Sequence, residues 1–390
     1  MFYRKIGLLE FVFVINCILV YYSYGIAALG DIIFLIISLY ILFFKRKYNV
    51  ETSLMAFLLF FFLHEFILIF FIESIPLYFI NNSLSICVNI FILGFLASEL
   101  NLEKLYFYFV IVGLVCVLGI IYHFINIFYF GNLVTAIQLP FVPKLSESSR
   151  YYEESIRPLS FFPEPSSYAT FMFIPLFLAL NKRNWLIAVI FTLSILLSTS
   201  SNGFFLSLIL WVFYIFNKSL RLRQKIFIGG CLLFIFYMIL NSELFEFGIK
   251  KIEQTNYTDN ARLTSGYNMF KELSFLHVLF GVNSVNLTEF VHAGGIEHLN
   301  FRLLDANGEV YVTTFWYVLM KFGIFGLLIY LFTYIKYYLK YAAIRPYIFI
   351  LIIAMFSQSV FVSGVWMMQM VFVIVFCKQE KDLLLNKSLV

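Results

Sequence analysis

The sequence predicts an all-α polytopic membrane protein with about 12 transmembrane helices and two long extracytoplasmic loops. Of the 390 residues, 62% are hydrophobic and 21% aromatic, whereas only 13% are charged, about half the share found in soluble globular domains. Many apolar runs reach the length of a membrane span, and they lack the alternating polarity of an outer-membrane barrel. This composition excludes a soluble enzyme.

The predicted spans form two groups along the chain. The first group covers residues 6–23, 26–44, 53–72, 76–97 and 105–128. The second group covers residues 164–181, 185–198, 203–217, 226–241, 322–341, 346–361 and 364–377. Because residues 184–217 and 346–377 are short for two crossings each, we expect tight hairpins of short helices in both places. The first run follows Arg4 and Lys5 without a small-residue cleavage site after it, so we expect it to be retained.

Positive charges predict the orientation of the spans. Most of the 27 Lys and Arg residues flank the apolar runs on one side, which the positive-inside rule assigns to the cytoplasm together with both termini. The other cations lie in residues 129–163 and 242–321, which are predicted to be extracytoplasmic loops of a single membrane domain over residues 1–390. Loops of this length are usually either functional or disordered, and their aromatic and proline content favours function. The placement of the net charge of +5 does not indicate a nucleic-acid partner.

Polar motifs border the spans in both loops. The first loop ends in Arg157-Pro-Leu-Ser-Phe-Phe-Pro-Glu164-Pro-Ser, in which prolines stiffen the chain and keep both charges near the lipid–water boundary. One interpretation of Arg157 and Glu164 is an interfacial salt bridge that orients the next helix. The second loop contains Arg262-Leu, Leu-Phe-Gly281 and Asp305-Ala-Asn307-Gly, and Gly323-Ile-Phe-Gly326 leads into the next span.

In this order the motifs resemble those of the bacterial O-antigen and capsular polysaccharide polymerases (Wzy type), which share a superfamily with the O-antigen ligases. The resemblance covers roughly residues 150–340. An Arg before an F-x-E-P-S segment corresponds to Arg157 and residues 162–166, and an Arg-Leu with a downstream L-F-G-x-G corresponds to Arg262 and residues 279–281. The N-x-Y-L and G-I-x-G elements are matched more loosely by Asn307, Tyr311 and residues 323–326.

Two departures from the family pattern stand out. Many members have Arg in a T-x-S-R-G or S-x-S-R-G element, where this chain has Asn202. Ligases tend to carry His directly before the Asn of the N-x-Y-L element, where this chain has Ala306. The second departure favours a polymerase over a ligase.

The resemblance implies a GT-C-like glycosyltransferase architecture in the bacterial inner membrane. It implies a polyprenyl-pyrophosphate-linked oligosaccharide as substrate within membrane lipid, and a chain-length regulator and a flippase as partners. No metal-ligand cluster is evident in the sequence, so we expect a metal-independent transferase without a cofactor. Cys17, Cys87, Cys116, Cys231 and Cys377 all fall in apolar runs without ligand-like spacing, which predicts neither disulfides nor a zinc site.

The chemistry of this reaction suggests roles for several residues. Arg157 and Arg262 are predicted to converge on the pyrophosphate, because a guanidinium donates two parallel hydrogen bonds to phosphate oxygens and keeps its charge. An acceptor hydroxyl needs a general base, for which Glu164 is preferred and Asp305 and His298 are alternatives. Further candidate site residues are Asn202, Asn307 and Tyr168, the last for stacking on a sugar.

Other interpretations stay open at this stage. A ligase has the same topology, and a flippase or other transporter is also polytopic, although two long external loops argue against it. A structural scaffold is a further alternative. His64 and Glu65 near the middle of the third span, and Asp31 in the second, are intramembrane ionisable groups and therefore candidates for a functional site. The plain alternative is a neutral Glu65 that is hydrogen-bonded to a neighbouring helix.

Overall fold

The chain folds into helices. The computed structural model describes residues 7–24, 27–45, 52–69, 89–94, 96–139, 155–216, 220–240, 261–282, 312–358, 361 and 363–388. Apart from an antiparallel pair of two-residue strands, β1 (Ser23–Tyr24) and β2 (Ala27–Ala28), the regular elements of these residues are helical. The prediction of an all-α fold is confirmed at this level.

The helices follow the predicted apolar runs closely. They are α1 (Leu8–Leu19), α2 (Leu29–Tyr40, followed by a π-helical turn Ile41–Lys45), α3 (Thr52–Ile69), α4 (Leu102–Phe128), α5 (Pro165–Asn181), α6 (Trp185–Leu197), α7 (Ser201–Ile215), α8 (Leu222–Leu240), α9 (Ala261–Lys271), α10 (Phe275–Phe280), α11 (Thr314–Lys340), α12 (Arg345–Ala354) and α13 (Gly364–Ser388). Residues 89–94 and 96–99 are also helical. Every predicted run contains a helix in its described part.

By length and composition, two of the described helices, α4 and α11, could each cross a bilayer. Both carry a stripe of exposed apolar side chains with helical spacing. The stripe of α4 contains Phe107, Ile111, Val115, Leu118, Tyr122 and Ile125, and that of α11 contains Phe325, Leu328, Phe332, Ile335 and Leu339. The count of about 12 transmembrane helices stays a prediction.

The chain divides into two compact units, and α5 is the central helix of the first, Met1–Ile33 with Leu100–Gln254. Pro165 occupies its first turn, where a missing N–H leaves no hydrogen bond unmade. The residues from Tyr168 to Leu180 are all buried, because α4, α6 and α7 pack around this helix. Its apolar residues on every face are typical of a core helix.

The α6–α7 hairpin in this unit agrees with the prediction of two short helices in residues 184–217. Only Ser198, Thr199 and Ser200 separate the two helices. The Ser200 hydroxyl caps α7 by accepting a hydrogen bond from the Gly203 N–H at 3.1 Å. The turn therefore lies at the N-terminus of α7.

In the second unit, Phe34–Glu99 with Thr255–Val390, α11 packs against α3, α9, α10 and α12. It begins at Thr314, so residues 314–321, which the hydropathy pattern placed in the second loop, are helical. Gly323 interrupts the helix with φ 66° and ψ −170°. The carbonyl of Met320 before this break accepts a hydrogen bond from the Val282 N–H at 2.8 Å.

Candidate functional site

The segment 155–164 at the end of the first predicted loop is fixed to α4 through its backbone. The N–H groups of Leu159 and Ser160 both donate to His123 Nδ1, each at 3.2 Å. The Ser160 hydroxyl donates to the Cys116 carbonyl at 2.9 Å. Gly119 permits this approach, because a Cβ there would clash with Ser160 Oγ. Since His123 Nδ1 accepts, the proton of the neutral ring is on Nε2.

Residues 134–137 and Tyr22 also form hydrogen bonds to the segment 155–164. Val134 and Ser155 form an antiparallel bridge, and the Ile137 N–H donates to the Ser160 carbonyl at 2.8 Å. The Tyr22 hydroxyl lies 3.0 Å from the Phe161 carbonyl oxygen and 3.2 Å from that of Ile137. The segment is therefore a rigid platform, as a site that must hold a ligand in one geometry requires.

The replacement His123→Leu is expected to destabilise this platform by about 2 kcal/mol or more, because two buried N–H groups lose their acceptor. A lower apparent melting temperature of the purified protein in detergent would measure the effect. His123→Asn is the matched control, since its Oδ1 can take the place of Nδ1 and should retain most of the stability. Equal destabilisation by both substitutions would contradict the proposed acceptor role.

Arg157 connects the platform to the α6–α7 hairpin. Its Nε donates to Thr199 Oγ1 at 3.0 Å, and its Nη2 donates to the Thr199 carbonyl at 2.6 Å. Thr199 has a φ of +55°, a left-handed conformation that costs a β-branched residue about 1–2 kcal/mol. Two hydrogen bonds to a charged donor offset this strain. The turn and the half-buried guanidinium thus hold each other in place.

Glu164 lies at the N-terminus of α5, where it is the N-cap residue, and its Oε2 accepts from the Ser166 hydroxyl at 3.0 Å. Burial lowers the pKa of Arg157 from its ordinary value, and the charge of Glu164 partly opposes this effect. Among the described residues, the hydrogen bonds of the Arg157 side chain go to Thr199. The charges of Arg157 and Glu164 interact, and a direct interfacial salt bridge between them stays an interpretation.

The structure brings some of the other predicted site residues to this place. Asn202 lies in the first turn of α7, directly after the turn that binds Arg157. Tyr168 is fully buried, its hydroxyl donates to Ser194 Oγ at 2.7 Å, and Phe162 packs edge-on against its ring. The prediction that Tyr168 stacks on a sugar is therefore wrong, because protein atoms already cover the ring.

The remaining predicted residues belong to the second unit. Arg262 lies in the first turn of α9, and its side chain is outside the described residues. Asp305, His298 and Asn307 also lie outside the described residues. The convergence of Arg157 and Arg262 on one ligand stays a prediction.

The second unit contains a buried charged cluster of His64, Glu65 and Lys321. Lys321 is 1% exposed and Glu65 3% exposed, and Lys321 Nζ lies 3.9 Å from Glu65 Oε1. His64 Nδ1 lies 3.4 Å from the same oxygen. Neither carboxylate oxygen has a hydrogen-bond partner within the described part of the chain. Buried polar atoms without a partner are rare, and they call for an explanation.

The cluster adjoins a crossing of two backbone segments, residues 279–281 and 321–323. Gly281 (φ +85°) and Gly323 (φ +66°) both adopt left-handed conformations. A Cβ at Gly281 would clash with the Lys321 carbonyl, and a Cβ at Gly323 would clash with the Leu279 carbonyl. The L-F-G and G-I-F-G motifs of the sequence therefore lie against each other.

No protein-family model matches the chain. A comparison with curated proteins finds no match either.

Sequence reasoning missed Lys321 and Thr199. Lys321 is the last residue of the predicted second loop, because the next apolar run begins at residue 322. Its pairing with Glu65 depends on a contact between α3 and α11, which sequence spacing does not reveal. One local signal existed, since Leu279-Phe-Gly281 and Lys321-Phe-Gly323 share a Phe-Gly pair that can support a chain break.

Proposed function

We propose that the chain is a membrane glycosyltransferase that polymerises polyprenyl-pyrophosphate-linked oligosaccharide units into O-antigen or capsular polysaccharide. The observation that carries the proposal is the binding of Arg157 to the α6–α7 turn through two hydrogen bonds. This contact joins the Arg and F-x-E-P-S motifs to the hairpin in which many family members have a T-x-S-R-G or S-x-S-R-G element and this chain has Asn202. The contact of residues 279–281 with residues 321–323 joins two further motifs in the second unit.

Arg157 is suited to bind a phosphate at this place. Its guanidinium has five N–H donors, and within the described part of the chain two of them are used on Thr199, which leaves donors for an anion. The adjacent N-terminus of α7 adds positive potential. A partly buried cation gains more from an anionic ligand than an exposed one does, because less solvent screens the attraction. We assign the second phosphate contact to Arg262.

The proposed reaction needs no redox step. The oxygen of an acceptor hydroxyl attacks the anomeric carbon, and the bond from that carbon to the pyrophosphate breaks with its electron pair on the leaving group. Arg157 stabilises the charge that grows there. The hydroxyl proton passes to a general base, for which we propose Glu164 because its carboxylate lies at the N-terminus of α5 in the segment that carries Arg157. Asp305 and His298 are the alternatives.

We infer that the protein works in the bacterial inner membrane, with both termini in the cytoplasm and the two long loops outside. The exposed apolar stripes of α4 and α11 support this proposal, because contact with lipid chains removes such stripes from water. The proposed partners are a flippase that delivers the lipid-linked units and a protein that sets the chain length. A ligase is the other activity that this architecture would suit.

Deletion of the gene in the encoding bacterium, followed by electrophoresis of its surface glycan, tests the proposal. Loss of a polymerase should leave a single repeat unit on the acceptor. Loss of a ligase should leave no glycan on the acceptor while polymer accumulates on the lipid carrier. An unchanged glycan profile would overturn both activities.

Complementation of the deletion strain then tests the two residues. Arg157→Lys is expected to reduce the amount of polymer by about 100-fold or more, because an ammonium cannot donate the two parallel hydrogen bonds that a planar guanidinium donates to a phosphate. Glu164→Gln should also fail to restore polymer. The exposed Arg223 provides the control Arg223→Lys, which should restore wild-type polymer. Normal polymer from Arg157→Lys, at equal protein abundance on an immunoblot, would refute the phosphate-binding role.

A further inference from the structure

The hydrogen bond of His64 to Phe280 limits where protons can lie in the buried cluster. His64 Nε2 is 2.6 Å from the Phe280 carbonyl oxygen, and since a carbonyl can only accept, Nε2 carries a proton. In the neutral ring, Nδ1 is then an acceptor. It faces Glu65 Oε1 at 3.4 Å, so two acceptors oppose each other unless a proton lies between them.

Lys321 offers a second position for a proton beside the same carboxylate oxygen. The distance of 3.9 Å between Nζ and Oε1 suits an ion pair but exceeds a direct hydrogen bond. Four aromatic rings surround Nζ with centroids 5.0–5.9 Å away, which favours the ammonium form. These rings belong to Phe61, Tyr317, Phe322 and Phe361.

We propose that Lys321, Glu65 and His64 form a proton-binding site that shares one labile proton. In one arrangement the proton is on Lys321 Nζ, and the ammonium faces the Glu65 carboxylate. In the other, an N–H bond of Lys321 breaks and its electron pair stays on nitrogen. An O–H bond then forms on Glu65 and donates to His64 Nδ1.

The balance of charge makes both arrangements compatible with burial. The net charge of the three groups is zero in each, so neither buries an uncompensated charge. Ionisable groups within membrane helices commonly serve as proton relays, for the same reason that they are costly to place there. The shared proton then moves to the carboxylate of Glu65, whose oxygens have no hydrogen-bond partner among the described residues.

The elements packed against this site carry other titratable groups. On α11, Tyr317 lies beside Lys321, whereas Lys336 and Lys340 lie towards the other end of the helix. The exposed His277 is on α10, and Lys271 lies over the Tyr267 ring on α9. Because His64 Nε2 is hydrogen-bonded to the Phe280 carbonyl, the site adjoins the crossing of residues 279–281 and 321–323.

Infrared spectroscopy of the full-length protein in lipid vesicles tests the site, because a protonated carboxylic acid has a carbonyl band separate from those of carboxylates. We expect such a band at neutral pH and its loss in Glu65→Gln. Glu272→Gln changes an exposed glutamate of the same unit and should leave the band unchanged. In Lys321→Met the band should grow, because Lys321 Nζ no longer competes with Glu65 for the proton.

A second measurement needs no substitution at position 65. The measurement is nuclear magnetic resonance of protein with ¹⁵N-labelled histidine, in which the His64 signals are assigned by their loss in His64→Gln. We expect Nε2 of His64 to carry a proton. We expect Nδ1 to accept a hydrogen bond in the fraction of molecules that shows the acid band. The proposal would be overturned if the wild-type protein showed no acid band and His64 Nδ1 accepted no hydrogen bond. A band that loses no intensity in Glu65→Gln would also overturn it.

Discussion

Glu65→Met is expected to lower the free energy of unfolding by about 3–5 kcal/mol, because it leaves the ammonium of Lys321 buried without its counter-charge. Lys321 is 1% exposed and is surrounded by aromatic rings, which attract a cation but do not neutralise it. Lys321→Met should cost less than Glu65→Met, because a proton can neutralise Glu65 and be donated to His64. Chemical unfolding in detergent micelles, followed by tryptophan fluorescence, would measure these differences.

The double variant Glu65→Met/Lys321→Met separates the loss of a charge pair from a loss of packing. Its stability should lie within about 1 kcal/mol of the wild type, since two side chains of similar volume replace both charges. The exposed Glu272 provides the control Glu272→Met, which should change stability by about 0.5 kcal/mol or less. If the stability lost by the double variant equalled the sum of the losses of the two single variants, Lys321 and Glu65 would not be energetically coupled.

The ends of the helices could be read from the sequence where local chemistry decides them. Asn101 caps α4 by accepting hydrogen bonds from the Glu103 and Lys104 N–H groups, and Pro165 starts α5. Both helices lie within a few residues of their predicted bounds. The break at Gly323 could not be located in this way, because its left-handed backbone is favoured by the opposing segment 279–281 rather than by its neighbours in the chain.

The sequence drew attention to Arg157 and Glu164 but did not reveal their contacts. These residues stood out because prolines stiffen their segment and a predicted span begins beside them. Their mutual salt bridge was a reasonable expectation from proximity in the sequence. The hydrogen bonds of Arg157 to Thr199 could not be predicted, because a threonine gives no sequence signal that it will adopt a left-handed turn.

Gly323→Ala is expected to destabilise the second unit by about 2–5 kcal/mol, the sum of an overpacked backbone contact and a left-handed alanine. Its Cβ would meet the Leu279 carbonyl, which a side-chain rotation cannot move away. The shift of residues 279–281 would also disturb the hydrogen bond between His64 Nε2 and the Phe280 carbonyl. Gly281→Ala should have a similar effect, since its Cβ would meet the Lys321 carbonyl across the same crossing.

Gly230→Ala is the matched control for these two variants. Among the described residues, no atom beyond the chain neighbours and the local helix backbone lies within 4 Å of a Cβ built at Gly230 in α8. Alanine there should therefore leave stability unchanged or raise it by about 0.5–1 kcal/mol through helix propensity. The double variant Gly281→Ala/Gly323→Ala should cost less than the sum of the single variants, because both substitutions open the same contact. Strict additivity would mean that the two glycines act at independent places, and wild-type stability of Gly323→Ala would contradict the close crossing itself.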